Sequence, residues 1–176
     1  MIDPSLKSTF NRILDGCAEL EVLRFDPSSR SAKLTIALYP EERGLKRDPD
    51  WRRFVLQDVS AIRCWTGDED LPPELDAIAA PTPTFMAFVA SLYRNQWVLD
   101  WEVMGTAPTT EPRWQWSSGE QSQDGELILL CLDRPGSETP WTLGLWYGQL
   151  KVETPLESVQ SLADFVAGWK FLAEAN

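Results

Sequence analysis

From Gln96 to Met104 apolar Trp97, Leu99, Trp101 and Val103 recur at every second residue, with Asp100 and Glu102 between them. A two-residue period is that of a strand with one buried and one wet face, and Val98 is the departure. Two tryptophans on one face could each bury about 200 Å², worth several kcal/mol at about 25 cal/mol per Å². The stretch reads as a central strand and sets the expectation that the chain is built on sheet.

The rest of the sequence is read against that expectation. Asp3-Pro4 is a helix start, because the carboxylate can accept from free first-turn amides and proline is tolerated at the first helical position. Leu6, Phe10, Ile13 and Leu14 follow at helical spacing before Gly16, predicting a helix over residues 4–15. Residues 19–26 and 32–39 alternate around Pro27-Ser-Ser-Arg-Ser31 and predict a hairpin. Residues 54–65 are strand-like, with the alternation shifting near Asp58, which predicts a bulge or break there. Residues 85–93 fit strand or helix and lean to strand. Trp114 and Trp116 share a side if extended, residues 127–132 are apolar enough for a sheet interior, and 141–147 alternates before a turn at Gly148-Gln149 into 150–153. Thr154 and Glu157 have capping-box spacing, predicting a terminal helix over 155–173 with Val159, Leu162, Phe165, Val166, Trp169 and Leu172 on one stripe.

Connections this short cannot carry helical crossovers, so the pairing should be antiparallel. The expected fold is α+β: a mostly antiparallel, strongly curved or partly closed sheet of about seven to nine strands, with an amphipathic helix at each end. At 176 residues the chain suits a single domain. Nine tryptophans are several times ordinary usage, and filling a sheet-built core is the simplest use for them.

Composition narrows function more than any motif does. Sixteen basic against 27 acidic residues give −11, which disfavours nucleic acid unless a local basic patch exists. The absence of histidine excludes Ser-His and Cys-His nucleophilic schemes within this chain and removes the commonest metal ligand. Cys17, Cys64 and Cys131 are odd in number, far apart and flanked by apolar residues, as reduced core thiols are. The N-terminal residues lack a basic region followed by an apolar run, and no stretch reaches membrane-spanning length, so the expected compartment is the cytoplasm.

Residues 40–53 hold the chain's basic concentration, Arg43, Lys46, Arg47, Arg52 and Arg53, without a glycine-rich phosphate cradle. Residues 66–83 collect Asp68, Glu69, Asp70, Glu74 and Asp76 with four prolines and no basic residue, a long acidic loop suited to a basic partner surface. Asp68, Glu69 and Asp70 lack calcium-loop spacing, and no cofactor or metal is expected. Asp100 and Glu102, about 7 Å apart along a strand, could share acid and base roles; a wet strand face is the simpler account. Trp97, Trp101, Trp114 and Trp116 are the candidate stacking residues for a small ligand or sugar.

The segment Phe54-Val-Leu-Gln-Asp-Val-Ser-Ala-Ile-Arg63, between loops in a small acidic β-rich chain, resembles several bacterial immunity proteins that neutralise a cognate toxin. The resemblance covers the middle of the chain and implies a stoichiometric protein partner. It transfers no functional residue. The expected function is therefore non-catalytic binding of a basic partner through Asp68 to Asp76, with a tryptophan-lined ligand site as the alternative and a carboxylate-pair hydrolase behind both.

Overall fold

The computed structural model describes residues 2–39, 49–65, 96–97, 100–103, 107–119, 125–132, 141–156 and 158–175. Helix α1 (Pro4–Cys17) starts as its sequence requires, with the Asp3 carboxylate accepting from the amides of Ser5 and Leu6. Those two bonds and the Ser5 hydroxyl hold the Asp3 carboxyl below its ordinary range. Strands β1 (Ala18–Asp26) and β2 (Ser31–Leu38) form the expected hairpin. Its loop is closed by Asp26, which accepts from the Ser28 amide at 2.9 Å and the Ser29 hydroxyl at 2.7 Å.

Strand β3 (Asp50–Gln57) breaks at Asp58, as the shifted alternation predicts, and resumes as β4 (Ala61–Trp65). Then follow β5 (Gln96–Trp97), β6 (Asp100–Val103), β7 (Trp114–Ser117), β8 (Glu126–Leu132), β9 (Trp141–Tyr147), β10 (Gln149–Glu153), β11 (Val159–Gln160) and helix α2 (Leu162–Ala175). The eleven strands among the described residues form two open antiparallel sheets, in the orders β11-β10-β3-β2-β1-β5 and β6-β8-β9-β4-β7. The α+β class, the antiparallel pairing and a helix near each end are as expected. The single curved sheet is not: the curvature is replaced by strands that leave one sheet and enter the other.

The corner is a bent ribbon. Strands β3 and β10 pair in the six-stranded sheet down to Gln57 opposite Gln149, and β4 and β9 continue the pairing in the other sheet from Ala61 opposite Trp146. Both strands thus change sheet side by side, one through Asp58, Val59 and Ser60 and its neighbour through Gly148. Asp58 takes a left-handed backbone with φ +54°, and the Gly148 amide donates to the Gln57 carbonyl at 3.0 Å. Bends of this kind let strands turn a corner between two stacked sheets. The turn expected at Gly148-Gln149 is therefore a sheet crossing and not a hairpin.

One core lies between the sheets and helices, with Phe10, Leu34, Phe54, Leu130, Trp141, Leu143 and Phe165 fully buried. Phe10, Phe54 and Phe165 come from α1, β3 and α2, and their ring centroids stand 5.3, 5.8 and 5.6 Å apart. Each such pair adds about 0.5–1.5 kcal/mol beyond area burial, so the triad ties both helices to the six-stranded sheet. Trp65, Trp141, Trp146 and Trp169 are buried as well, in keeping with a core use of tryptophan.

Two expectations need correction. The stretch 96–104 is not one central strand: β5 pairs only with β1 and β6 only with β8 among the described residues, each at the end of a different sheet. The terminal helix does not begin at Pro155. Residues 155–156 lie in an exposed turn, the Thr154 amide donates to the Ser158 carbonyl, and Val159-Gln160 pairs with β10. Helix α2 is instead capped by Ser161, whose hydroxyl accepts from the Asp164 amide at 3.0 Å and donates to the Asp164 carboxylate at 2.6 Å. The residues Ser161-Leu-Ala-Asp164 are a capping box of the same form, seven positions on.

Candidate functional site

The acidic residues Asp68, Glu69, Asp70, Glu74 and Asp76 lie outside the described residues, as do 85–93. Asp100, Trp101 and Glu102 lie in β6, opposite Cys131, Leu130 and Leu129 of β8. Trp97 lies in the other sheet, opposite Glu19. The four positions therefore do not share one strand face. Trp114 and Trp116 occupy β7, opposite Cys64 and Ile62. Trp116 is half-buried, packed on the core, with its ring 4.8 Å from Phe25 in an edge-on arrangement that bridges the two sheets.

The outer faces of the two sheets differ. On the five-stranded sheet Ala61, Trp65, Leu127, Leu129 and Trp146 form a second, small dry layer. Ala107 packs against it, and the Trp65 indole donates to the Thr110 carbonyl at 2.9 Å, so the chain from 107 to 110 straps part of this face. The Arg63 guanidinium stands 5.1 Å from the Trp146 ring, and Cys131 Sγ is 3.7 Å from Thr142 Oγ1. Gly144 is needed at the centre, since a Cβ there would meet Trp65 at 3.0 Å and Leu127 and Leu129 at 3.3 Å. Register places Asp100 and Glu102 in the rows of this layer, beside Cys131 and Leu129.

The outer face of the six-stranded sheet is polar and only partly exposed, with Ala37 and Val55 on it buried. Arg24 and Lys33 are exposed there and Lys151 is half-buried, and the three fall in one cross-strand row. Sequence reading located the basic residues of 40–53 and missed these, because they come from three strands far apart in the chain. The signal was present only as a single cation at an outward position in each of β1, β2 and β10.

Titratable groups elsewhere serve the architecture. The Cys64 thiol is pushed up to about 12 by burial, the state of an unreactive core thiol. The Tyr147 phenol is held above its ordinary range by burial and then by the charge of Glu126, its cross-strand neighbour. Glu126 Oε1 accepts from the Ile2 amide at 2.9 Å, while Glu126 Oε2 and the Tyr147 hydroxyl are both buried without a hydrogen bond of normal geometry. Among the described residues no His, Cys, Asp or Glu cluster has the makings of a metal site, and no helix is long and apolar enough to cross a membrane.

These features define a class, an α+β protein of two open antiparallel sheets joined by a bent ribbon, with one wet outer face and one dry one. Comparison with protein-family models, with curated proteins and with solved structures finds no match.

Proposed function

We propose that this chain is a non-catalytic binding protein of the cytoplasm, of the immunity type, that engages a protein partner with a basic surface. The observation that carries the reading is the run of five carboxylates from Asp68 to Asp76, unbroken by any Lys or Arg, in a chain of net charge −11. Such a run attracts a basic partner over distances of about a Debye length, roughly 8 Å at physiological salt, and speeds encounter. The use of polar groups in the fold supports it: Asp3 and Ser161 cap helices, Asp26 closes a loop, and Arg53 pairs with Glu153 at 3.2 Å.

The test is a pull-down from the native host with the whole chain as bait, at low and at high salt. A specific protein captured at low salt, and lost when the five carboxylates are replaced by Asn and Gln, is the expected result. Capture of no macromolecule at either salt, or equal capture by the neutralised variant, would sink the proposal.

A further inference from the structure

We propose that the free edge of β7 pairs antiparallel with the same edge of a second copy of this chain, joining two five-stranded sheets across a two-fold axis at Trp116. The inference uses none of the residues from Asp68 to Asp76 and does not rest on the reading above.

The two open sheets end in β5, β11, β6 and β7, and the first three carry features that discourage pairing with another chain. Strands β5 and β11 are two residues long, and β6 has Asp100 and Glu102 in its sequence. Strand β7, Trp114-Gln-Trp-Ser117, has neither charge nor proline, and the uncharged run continues through Ser118 and Gly119. Among the described residues β7 pairs only with β4.

Register decides which backbone groups this edge presents. The Ser118 amide donates to the Ser60 carbonyl at 2.9 Å. Bonded pairs alternate along an antiparallel ladder, so Trp116 exchanges its backbone bonds with Ile62, its opposite number in β4. The amides and carbonyls of Gln115 and Ser117 therefore point away from β4, a donor and an acceptor from each residue. Both side chains are exposed on the outer face, while Trp116 between them turns inward, half-buried, with its ring 4.8 Å from Phe25.

These groups fit their own copy. With the two-fold axis at Trp116, Gln115 stands opposite Ser117 of the second copy and Ser117 opposite its Gln115, both as bonded pairs. Every outward group of the edge is then satisfied by its counterpart, as a self-complementary two-fold contact requires. Trp116 meets Trp116 of the copy as a non-bonded pair, about 4.5 Å between Cα atoms, which brings the uncovered parts of the two indoles together. Arg113 falls opposite Gly119 of the copy, so the arginines do not meet across the seam. A foreign strand could satisfy the same backbone groups, but its specificity would have to come from pockets for alternate side chains. The outer face of β7 presents Gln115 and Ser117 instead. One short strand from each copy buries less surface than a stable dimer needs, so the association is weak and concentration-dependent.

The test is sedimentation velocity of the whole chain from about 5 to about 500 µM, with amide exchange at both ends of that range. We expect the average mass to rise from that of one chain toward that of two. Exchange at Gln115 and Ser117 should slow at least 3-fold in the concentrated sample, and exchange at Trp116, already bonded to Ile62, should not. Gln115→Glu with Ser117→Glu sets carboxylates side by side across the seam and should weaken dimerisation at least 10-fold. Gln115→Glu with Ser117→Lys sets opposite charges there and should dimerise at least as tightly as wild type. Ser8→Glu with Ala163→Glu, which adds the same charge at exposed helix positions, should stay within 3-fold of wild type. Should the double-Glu edge variant fail to fold, Ser117→Glu alone should weaken dimerisation about 3-fold. A single-chain mass throughout the range, equal dimerisation in the double-Glu edge variant and the helix control, or a Glu/Lys variant no tighter than the double-Glu one would each overturn the assignment. So would a dimer in which Gln115 and Ser117 exchange as fast as in the dilute chain.

Discussion

Gly148 lies against Asp58: a Cβ built on the glycine would stand 3.1 Å from the Asp58 Cβ, at the corner where two paired strands change sheet together. Asp58 holds the left-handed backbone that the corner needs, at φ +54°, and its carboxylate meets Arg30 at 3.3 Å on the surface. An exposed ion pair of that kind contributes little, so backbone shape and close approach are what fix the bend.

Gly148→Ala should therefore destabilise the protein by about 1 kcal/mol, because Asp58 must give way by a few tenths of an ångström. In an Asp58→Gly background the same change should cost less than half as much, since the contacted Cβ is gone. Urea unfolding of the four proteins in the cycle checks this. Additive losses would mean that the corner tolerates a side chain at residue 148.

The aromatic triad gives a larger effect. Phe165 is fully buried and touches both Phe10 and Phe54, so Phe165→Ala leaves a cavity shared by α1, α2 and β3 and should cost about 3–5 kcal/mol. Trp51→Ala, on the outer face of the six-stranded sheet, should cost less than about 1 kcal/mol. Comparable losses at the two positions, measured by thermal or denaturant unfolding, would contradict the placement of the core.

The C-terminal helix separates two caps of identical form. Ser161→Ala removes a hydroxyl that accepts from the first-turn amide of Asp164, and should cost about 1 kcal/mol. Thr154→Ala removes a hydroxyl bonded only to Ser158 in an exposed turn, and should cost less than about 0.5 kcal/mol. Faster amide exchange through residues 162–166 in the first variant alone is the accompanying signature. The reverse order would place the helix start at residue 155 after all.

What the sequence carried, and what it hid, divides along the range of the interactions. Asp3-Pro4, the loop after Asp26 and the phase shift at Asp58 are set by neighbouring residues, and each is found where the local chemistry puts it. The alternation of 96–104 is equally local, but alternation tells which residues share a face and nothing about which strand lies alongside. Trp97 and Trp101 fit one strand by spacing and belong to two sheets by pairing. Thr154 and Ser161 head capping boxes of equal local merit, and the choice between them falls to the pairing of Val159 and Gln160 with β10. The basic row is wholly a product of register, because Arg24, Lys33 and Lys151 become neighbours only when β1, β2, β3 and β10 are aligned. For the acidic run at 68–76 the sequence remains the whole ground of the reading.

Alkaline pH tests the interior. Cys64 and Tyr147 are both raised in the folded protein, Cys64 from an ordinary 9.0 to about 12 by burial and Tyr147 upward from an ordinary 10.0 by burial and the Glu126 charge. A group raised on folding keeps its proton longer in the native state, so its contribution to stability is complete below the unfolded pKa and is lost as pH rises above it. The loss should begin near pH 9 with Cys64 and steepen above pH 10 as Tyr147 joins, at about 1.4 kcal/mol per pH unit for each group. Cys64→Ala should remove the part between pH 9 and 10 and reduce the slope above pH 10 to that of Tyr147 alone. Tyr147→Phe should keep the Cys64 slope from pH 9 upward without the steepening above pH 10 and, by deleting a buried hydroxyl that closes no normal hydrogen bond, cost less than about 1 kcal/mol at pH 7. Urea unfolding at pH 7, 9, 10 and 11 reads all three proteins. Alkylation of Cys64 in the folded protein at pH 9, as fast as in the unfolded chain, would show that the thiol is neither buried nor raised and would remove the basis of the first step.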